Sequence, residues 1–196
     1  MKFQIEKENH LNITINWSNN LCLDVNMPDV SPDDQYLELY VLGLLNNEIP
    51  DYRSLVFYNN ESNINNSIIG DFGCCYLHYP GFDREFNIEL YKINSIYDRV
   101  VFLIGRPMTN NDKCHSWINY KMVENVKKEV SQVACHINGK LVLKNKNYQY
   151  NQFGAMTLFE LCKSNDIWEL DFNDKTYKQG LNEIIEQYKK TGTNNV

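Results

Sequence analysis

The most informative absences in this 196-residue sequence are long apolar runs and clustered positive charge. No run approaches the roughly 18 apolar residues of a membrane helix, and the charged segment 1–6 does not resemble a secretory leader. Lys and Arg number 19 against 25 Asp and Glu, which gives a net charge of −6, whereas nucleic-acid binding needs clustered basic residues. We therefore expect no membrane span and no nucleic-acid partner.

Cysteine spacing excludes the common metal and redox motifs. The six cysteines are scattered, no Cys-x-x-Cys pair occurs, and Cys74 and Cys75 are adjacent, a spacing that neither zinc ribbons nor disulfide oxidoreductases use. We expect the thiols to be reduced and to act as small apolar groups, as in a cytoplasmic protein.

Two histidines directly follow cysteines, in the pairs Cys114–His115 and Cys135–His136. Neighbouring residues on a strand point to opposite faces, so neither pair forms a nucleophile and its base by itself. A Cys/His enzyme would need partners from elsewhere in the fold. We therefore expect a protein that is not an enzyme.

Alternating apolar and polar residues predict many short, half-buried strands. The run 99–105 is apolar after its first residue, Arg99, which is typical of a strand buried on both faces. Asn138–Gly139 separates two alternating runs and predicts a type I′ hairpin, because both residues tolerate a positive φ. Further strands are predicted at 3–5, 11–16, 21–26, 36–45, 55–58, within 82–90, and at 131–137, 140–143, 155–162 and 166–172.

Two segments have helical periodicity instead. Apolar residues recur at helical spacing in 116–130 and in 176–190, which predicts one internal and one C-terminal helix. Together with the strands, they predict a mainly β fold, a two-sheet β-sandwich with both helices at its periphery. We expect a single domain over 1–190 and a disordered tail over 191–196.

Acidic and amide residues collect next to the predicted strand ends. Asn59 and Asp71 each follow an apolar run, and Asp83 and Glu85 precede another. Oxygen-rich loops can hold calcium, but ordinary solvated turns have the same composition, and the spacing matches no EF-hand loop. The spacing alone leaves both interpretations open.

Aromatic residues are inserted between Asp71 and Asp83, at Tyr76, Tyr79 and Phe82. Exposed aromatic side chains are effective anchors for a protein partner. The alternative is that these rings simply cover one end of the sandwich.

The order of several motifs resembles that of the TerD-like family of tellurium-resistance and bacterial stress proteins, over nearly the whole chain. Phe57–Asn60 followed by Gly70–Asp71 resembles the family's Phe-Tyr-Asn and Gly-Asp-Asn pair. Asp83 ahead of Ile88–Leu90 is similar to its acidic tip and Asp-Leu strand end, and Ala155–Leu161 resembles one of its final strands. The ordered set, rather than any one motif, carries the resemblance.

The resemblance implies a β-sandwich without established catalytic activity, with calcium bound by acidic loops at one end. Carried over to this sequence, the ligands would be Glu38, Asp71 and Asp83, with Asn59 and Glu85 as further candidates.

Three residues depart from the family's pattern. Tyr36 stands at the first acid of its Asp-Leu-Asp-Ala-Ser motif, Phe72 at an asparagine and Arg84 at a second acid. A guanidinium beside Asp83 adds positive charge where a divalent cation would sit. These departures predict a degenerate calcium site.

The resemblance thus implies a non-enzymatic stress-response protein of the tellurium-resistance type, acting as a binding module with a protein partner. An alternative is a small-ligand protein, because some eukaryotic proteins that resemble the family are described as cyclic-nucleotide binding. The sequence has no glycine-rich phosphate loop to support that alternative. A Cys/His enzyme is the third hypothesis.

Overall fold

The computed structural model describes residues 2–5, 10–19, 38–57, 60–71, 84–93, 95–105, 130–149, 154–165, 167–173 and 175–189. Most of these residues lie in strands: β1 (Lys2–Gln4), β2 (His10–Asn19), β3 (Glu38–Leu44), β4 (Leu55–Val56), β5 (Ile68–Asp71), β6 (Arg84–Glu89), β7 (Arg99–Gly105), β8 (Val130–Ile137), β9 (Lys140–Gln149), β10 (Ala155–Ser164), β11 (Ile167–Asp171) and β12 (Thr176–Tyr177). The helical elements are a 3-10 turn (Tyr52–Ser54), α1 (Leu90–Ile93) and α2 (Leu181–Tyr188).

The strands form two antiparallel sheets. The first has the order β1-β11-β10-β7-β3-β4, with β12 paired to β10, and the second has the order β5-β6-β2-β8-β9. Apolar residues of the alternating runs face each other between the sheets and form one buried cluster. The predicted two-sheet β-sandwich is confirmed.

Three aromatic rings connect the sheets through the core. Phe102 of β7 stacks on Phe159 of β10, with ring centroids 4.4 Å apart. The Phe102 ring also contacts Phe86 of β6 edge-on, with ring centroids 5.7 Å apart. All three side chains are fully buried, and such ring pairs add about 0.5–1.5 kcal/mol each beyond their buried area.

The first sheet is also covered on its outer face. Leu42, Val101 and Leu103 form a second buried cluster with Leu181 and Ile184 of α2. Strand β7 is therefore buried on both faces, as its continuous apolar run predicts. Tyr177 belongs to the same cluster, and burial raises its pKa to about 12.

The C-terminal helix is shorter than predicted. Residues 176–177 pair with β10 as β12, and α2 begins only at Leu181. Gly180 has a φ of 66°, and this left-handed residue, which glycine tolerates, separates the strand from the helix.

The predicted internal helix stays a prediction. The predicted segment 116–130 lies outside the described residues except for Val130, which begins strand β8. The described internal helix is the single turn α1, in a segment where the sequence predicts a connector between strands. The predicted strand 21–26 and the tail 191–196 also lie outside the described residues.

Gly43 faces the core on β3, where the ring of Tyr97 fills the space of a side chain. A Cβ at position 43 would lie 2.5 Å from Cζ of Tyr97. The ring is 1% exposed, and its hydroxyl donates to Oγ of Ser54 at 3.1 Å. The ring is therefore held where it excludes any larger residue at position 43.

We predict that Gly43→Ala lowers the free energy of unfolding by about 1–3 kcal/mol, because the added methyl overlaps a fixed buried ring. Urea unfolding of the wild type and the variant measures this difference.

The control is the same substitution in a Tyr97→Val background, where the overlapping atoms are absent. There the cost of Gly43→Ala should vanish, as expected for two residues in direct contact. An equal loss in both backgrounds would show that the ring is not the cause.

Candidate functional site

Two of the predicted metal ligands are brought side by side at the edge of the second sheet. Asp71 ends β5 and lies directly opposite Glu85, near the start of β6. Both side chains are exposed. Like charges directly opposite each other repel across a sheet, so this corner favours a cation or a hydrogen-bond donor.

Glu38 lies at the same end of the sandwich, on the other sheet. It opens β3 opposite Gly105, the last residue of β7. From the neighbouring strand β4 the chain turns at Phe57 and Asn60, which exchange backbone hydrogen bonds of 3.0 and 2.8 Å. It then passes beside β5, where the Gly70 N–H donates to the Glu61 carbonyl at 2.9 Å. The fold thus brings the strand ends of Glu38 and Asp71 to one end.

The carboxylate of Glu85 already has a partner on the adjacent strand. Asn12 of β2 donates through its Nδ2 to Oε1 of Glu85. The same amide nitrogen lies 3.3 Å from Oδ1 of Asn87. A cation at this corner would have to share Glu85 with the amide of Asn12.

The structure describes the other predicted ligands in part or not at all. Asn59 and Asp83 lie outside the described residues, as does the aromatic loop, and only the backbone of Glu38 is described. Within the described ranges no group of three or more His, Cys, Asp or Glu residues could hold a metal ion. Asp71 and Glu85 suit a hard cation, yet calcium takes 6 to 8 oxygens. Together they offer four carboxylate oxygens, fewer than calcium takes.

Cys135 and His136 point to opposite faces of β8, as predicted for adjacent strand residues. Cys135 is fully buried in the core, while His136 is half-buried. Burial raises the pKa of the Cys135 thiol. Because the thiolate is the reactive species, Cys135 acts as a packing group. The pair Cys114–His115 lies outside the described residues.

A charge cluster around the buried Glu160 of β10 was missed by sequence reasoning. The side chain of Glu160 is only 4% exposed, with Nε of Arg99 3.7 Å from Oε2 and Nζ of Lys175 3.6 Å from Oε1. These ion pairs connect β7, β10 and the segment before β12. The available sequence signal was one charged residue within the apolar run 155–161.

Comparison with known proteins identifies relatives of the whole domain. The TerD domain family model matches residues 1–188. A solved structure of a protein of unknown function, SAV2460, shares the fold with a TM-score of 0.58 and 12% identity, covering 93% of this chain and 98% of that one. A homologue of telluride resistance protein (TerD), SCO6318 from Streptomyces coelicolor A3(2), has a TM-score of 0.56 and 13% identity, covering 87% and 90%. No curated protein matches the chain.

In the part of the chain that the structure describes, no helix combines the length and apolarity needed to cross a membrane.

We predict that Cys135 resists alkylation in the native protein at neutral pH, because it is buried and its thiol is protonated. Peptide mass spectrometry after iodoacetamide treatment measures the modified fraction, and the urea-denatured chain is the control in which Cys135 should react fully. Rapid native labelling of Cys135 would revive the Cys/His enzyme hypothesis.

We predict that Glu160→Gln lowers the free energy of unfolding by about 1–3 kcal/mol, because two cations lose their shared buried carboxylate. Glu186→Gln is the matched control, since Glu186 and Lys189 form an exposed pair at 3.5 Å that contributes less than about 0.5 kcal/mol. Urea unfolding of both variants measures the contrast, and equal losses would contradict a special role for Glu160.

Proposed function

This chain belongs to the TerD family of tellurium-resistance proteins, and we propose from that premise that it is a non-enzymatic binding module with a degenerate calcium site. The observation that carries the proposal is the exposed pair Asp71 and Glu85, in register at the strand ends. We place the module in a cytoplasmic stress response with a protein partner, as the family resemblance implies.

Calcium affinity in the proposed site is low for two reasons. The amide of Asn12 occupies one oxygen of Glu85 and competes with any cation for it. Arg84 stands where the family pattern has a second acid, so the site lacks that carboxylate ligand. We therefore place the dissociation constant at about 10⁻⁴–10⁻³ M, the range of low-affinity calcium modules.

Support for a non-enzymatic role comes from Cys135. Its burial and raised pKa remove the thiolate that a mechanism based on Cys135 and His136 would require. The acidic corner, in contrast, is accessible to solvent, because Asp71 and Glu85 are both exposed. Accessible carboxylates at strand ends suit reversible ligand binding better than protected chemistry.

We predict that calcium raises the midpoint of thermal unfolding gradually, by about 2–5 °C at about ten times the dissociation constant, because a ligand of the native state then contributes about 1.4 kcal/mol. Differential scanning calorimetry with calcium, magnesium or chelator measures the shift, which should continue to grow across the millimolar range.

The double variant Asp71→Asn/Glu85→Gln should lose the calcium-specific shift, whereas Glu186→Gln, remote from this corner on α2, should keep it. Cyclic nucleotides should leave the midpoint unchanged. A shift that saturates at micromolar calcium would mean that the site is intact rather than degenerate. No calcium-specific shift at all would mean that the site is lost.

A further inference from the structure

The turn between β8 and β9 combines a reactive sequence with an open, hydrogen-bonded geometry. Asn138 and Gly139 are exposed and have φ values of 49° and 73°. Apart from residues 138–140 themselves, no heavy atom lies within 4 Å of where a Cβ of Gly139 would be. The space that a side chain would fill is therefore open, and no side chain on residue 139 hinders reaction at its peptide nitrogen.

The side chain of Asn138 is held by the adjacent strand. Its Oδ1 accepts a 2.8 Å hydrogen bond from the backbone N–H of Asn12, while its own N–H donates to the Asn12 carbonyl at 2.8 Å. A donor on Oδ1 polarises the amide carbonyl and stabilises negative charge that develops on that oxygen. The Asn12 N–H is thus placed as an oxyanion donor for attack at Cγ of Asn138.

We propose that Asn138–Gly139 is a site of spontaneous deamidation in the folded protein. The Gly139 nitrogen loses its proton to solvent and attacks Cγ of Asn138, so that a C–N bond forms. The Cγ–Nδ2 bond then breaks, and Nδ2 takes up a proton from solvent and leaves as ammonia. Water then opens the five-membered succinimide. Attack at Cγ gives aspartate, and attack at the main-chain carbonyl carbon of residue 138 gives isoaspartate.

Among the described residues, the other asparagines in the left-handed region lack this combination. They are each followed by a residue with a side chain, which hinders approach of its nitrogen to the amide carbon. These four asparagines are Asn46, Asn47, Asn66 and Asn165. They provide internal comparisons within the same protein.

Isoaspartate at position 138 would alter the hairpin itself. It routes the backbone through the former side chain and so adds one methylene to a two-residue turn. The pairing of Ile137 with Lys140 depends on the length of that turn. Each conversion also adds one negative charge to a chain of net charge −6.

The test is incubation of the folded protein in mildly alkaline buffer at physiological temperature. Peptide mass spectrometry follows amide-to-acid conversion at each asparagine, and isoaspartate-specific carboxyl methylation detects the rearranged product. We expect position 138 to convert several-fold faster than the four comparison sites, and Gly139→Ala to slow that conversion several-fold.

Two outcomes would overturn the proposal. One is earlier conversion at any of the four comparison asparagines. The other is an Asn138 that stays intact in the folded protein but converts in urea, which would mean that the hairpin protects it. The ranking of sites in the wild type decides the question even if Gly139→Ala fails to fold.

Discussion

The contact of Phe102 with Phe159 and Phe86 is the constraint on which the other features depend, because it holds the two sheets together at their centre. Phe159 reaches this position through an irregularity in β10. The register with β7 shifts between Thr157 and Phe159, and Leu158 and Phe159 both belong to the core cluster. A bulge of this kind reverses the alternation of every residue that follows it.

Glu160 depends directly on that reversal. Strict alternation from Leu158 would aim Glu160 into the apolar core, where an unpaired carboxylate is very costly. The bulge instead turns it to the outer face, where Arg99 and Lys175 lie within 4 Å of its oxygens. The adjacent apolar residues Leu158 and Phe159 mark the bulge in the sequence, but they do not show which cations meet Glu160, because Arg99 and Lys175 come from other segments of the chain. The charge cluster could therefore not be predicted, although the lone acid could have raised the question.

Predictions succeeded where one local physical rule decides the outcome. Burial of β7 on both faces follows from its apolar run, and the hairpin at Asn138–Gly139 follows from the φ values that a two-residue turn needs. The predicted start of the C-terminal helix was wrong, because the single residue Gly180 separates β12 from α2. The nearness of Asp71 and Glu85 was predictable from adjacent strand ends, but the bond from Asn12 was not, because it depends on the pairing of β2 with β6, distant in sequence.

Asn12 joins two features that are otherwise separate. Its side chain binds Glu85 at the acidic corner, while its backbone binds Asn138 at the hairpin on the neighbouring strand. A cation in the proposed site must weaken the hydrogen bond from Asn12 to Glu85. This loss is about 1 kcal/mol for an exposed pair, and it keeps cation binding reversible. A change in the hairpin also affects Asn12, since it moves the backbone that orients the Asn12 side-chain amide. Glu85 and the turn are therefore both hydrogen-bonded to Asn12, and the strength of the proposed site depends on the integrity of the hairpin.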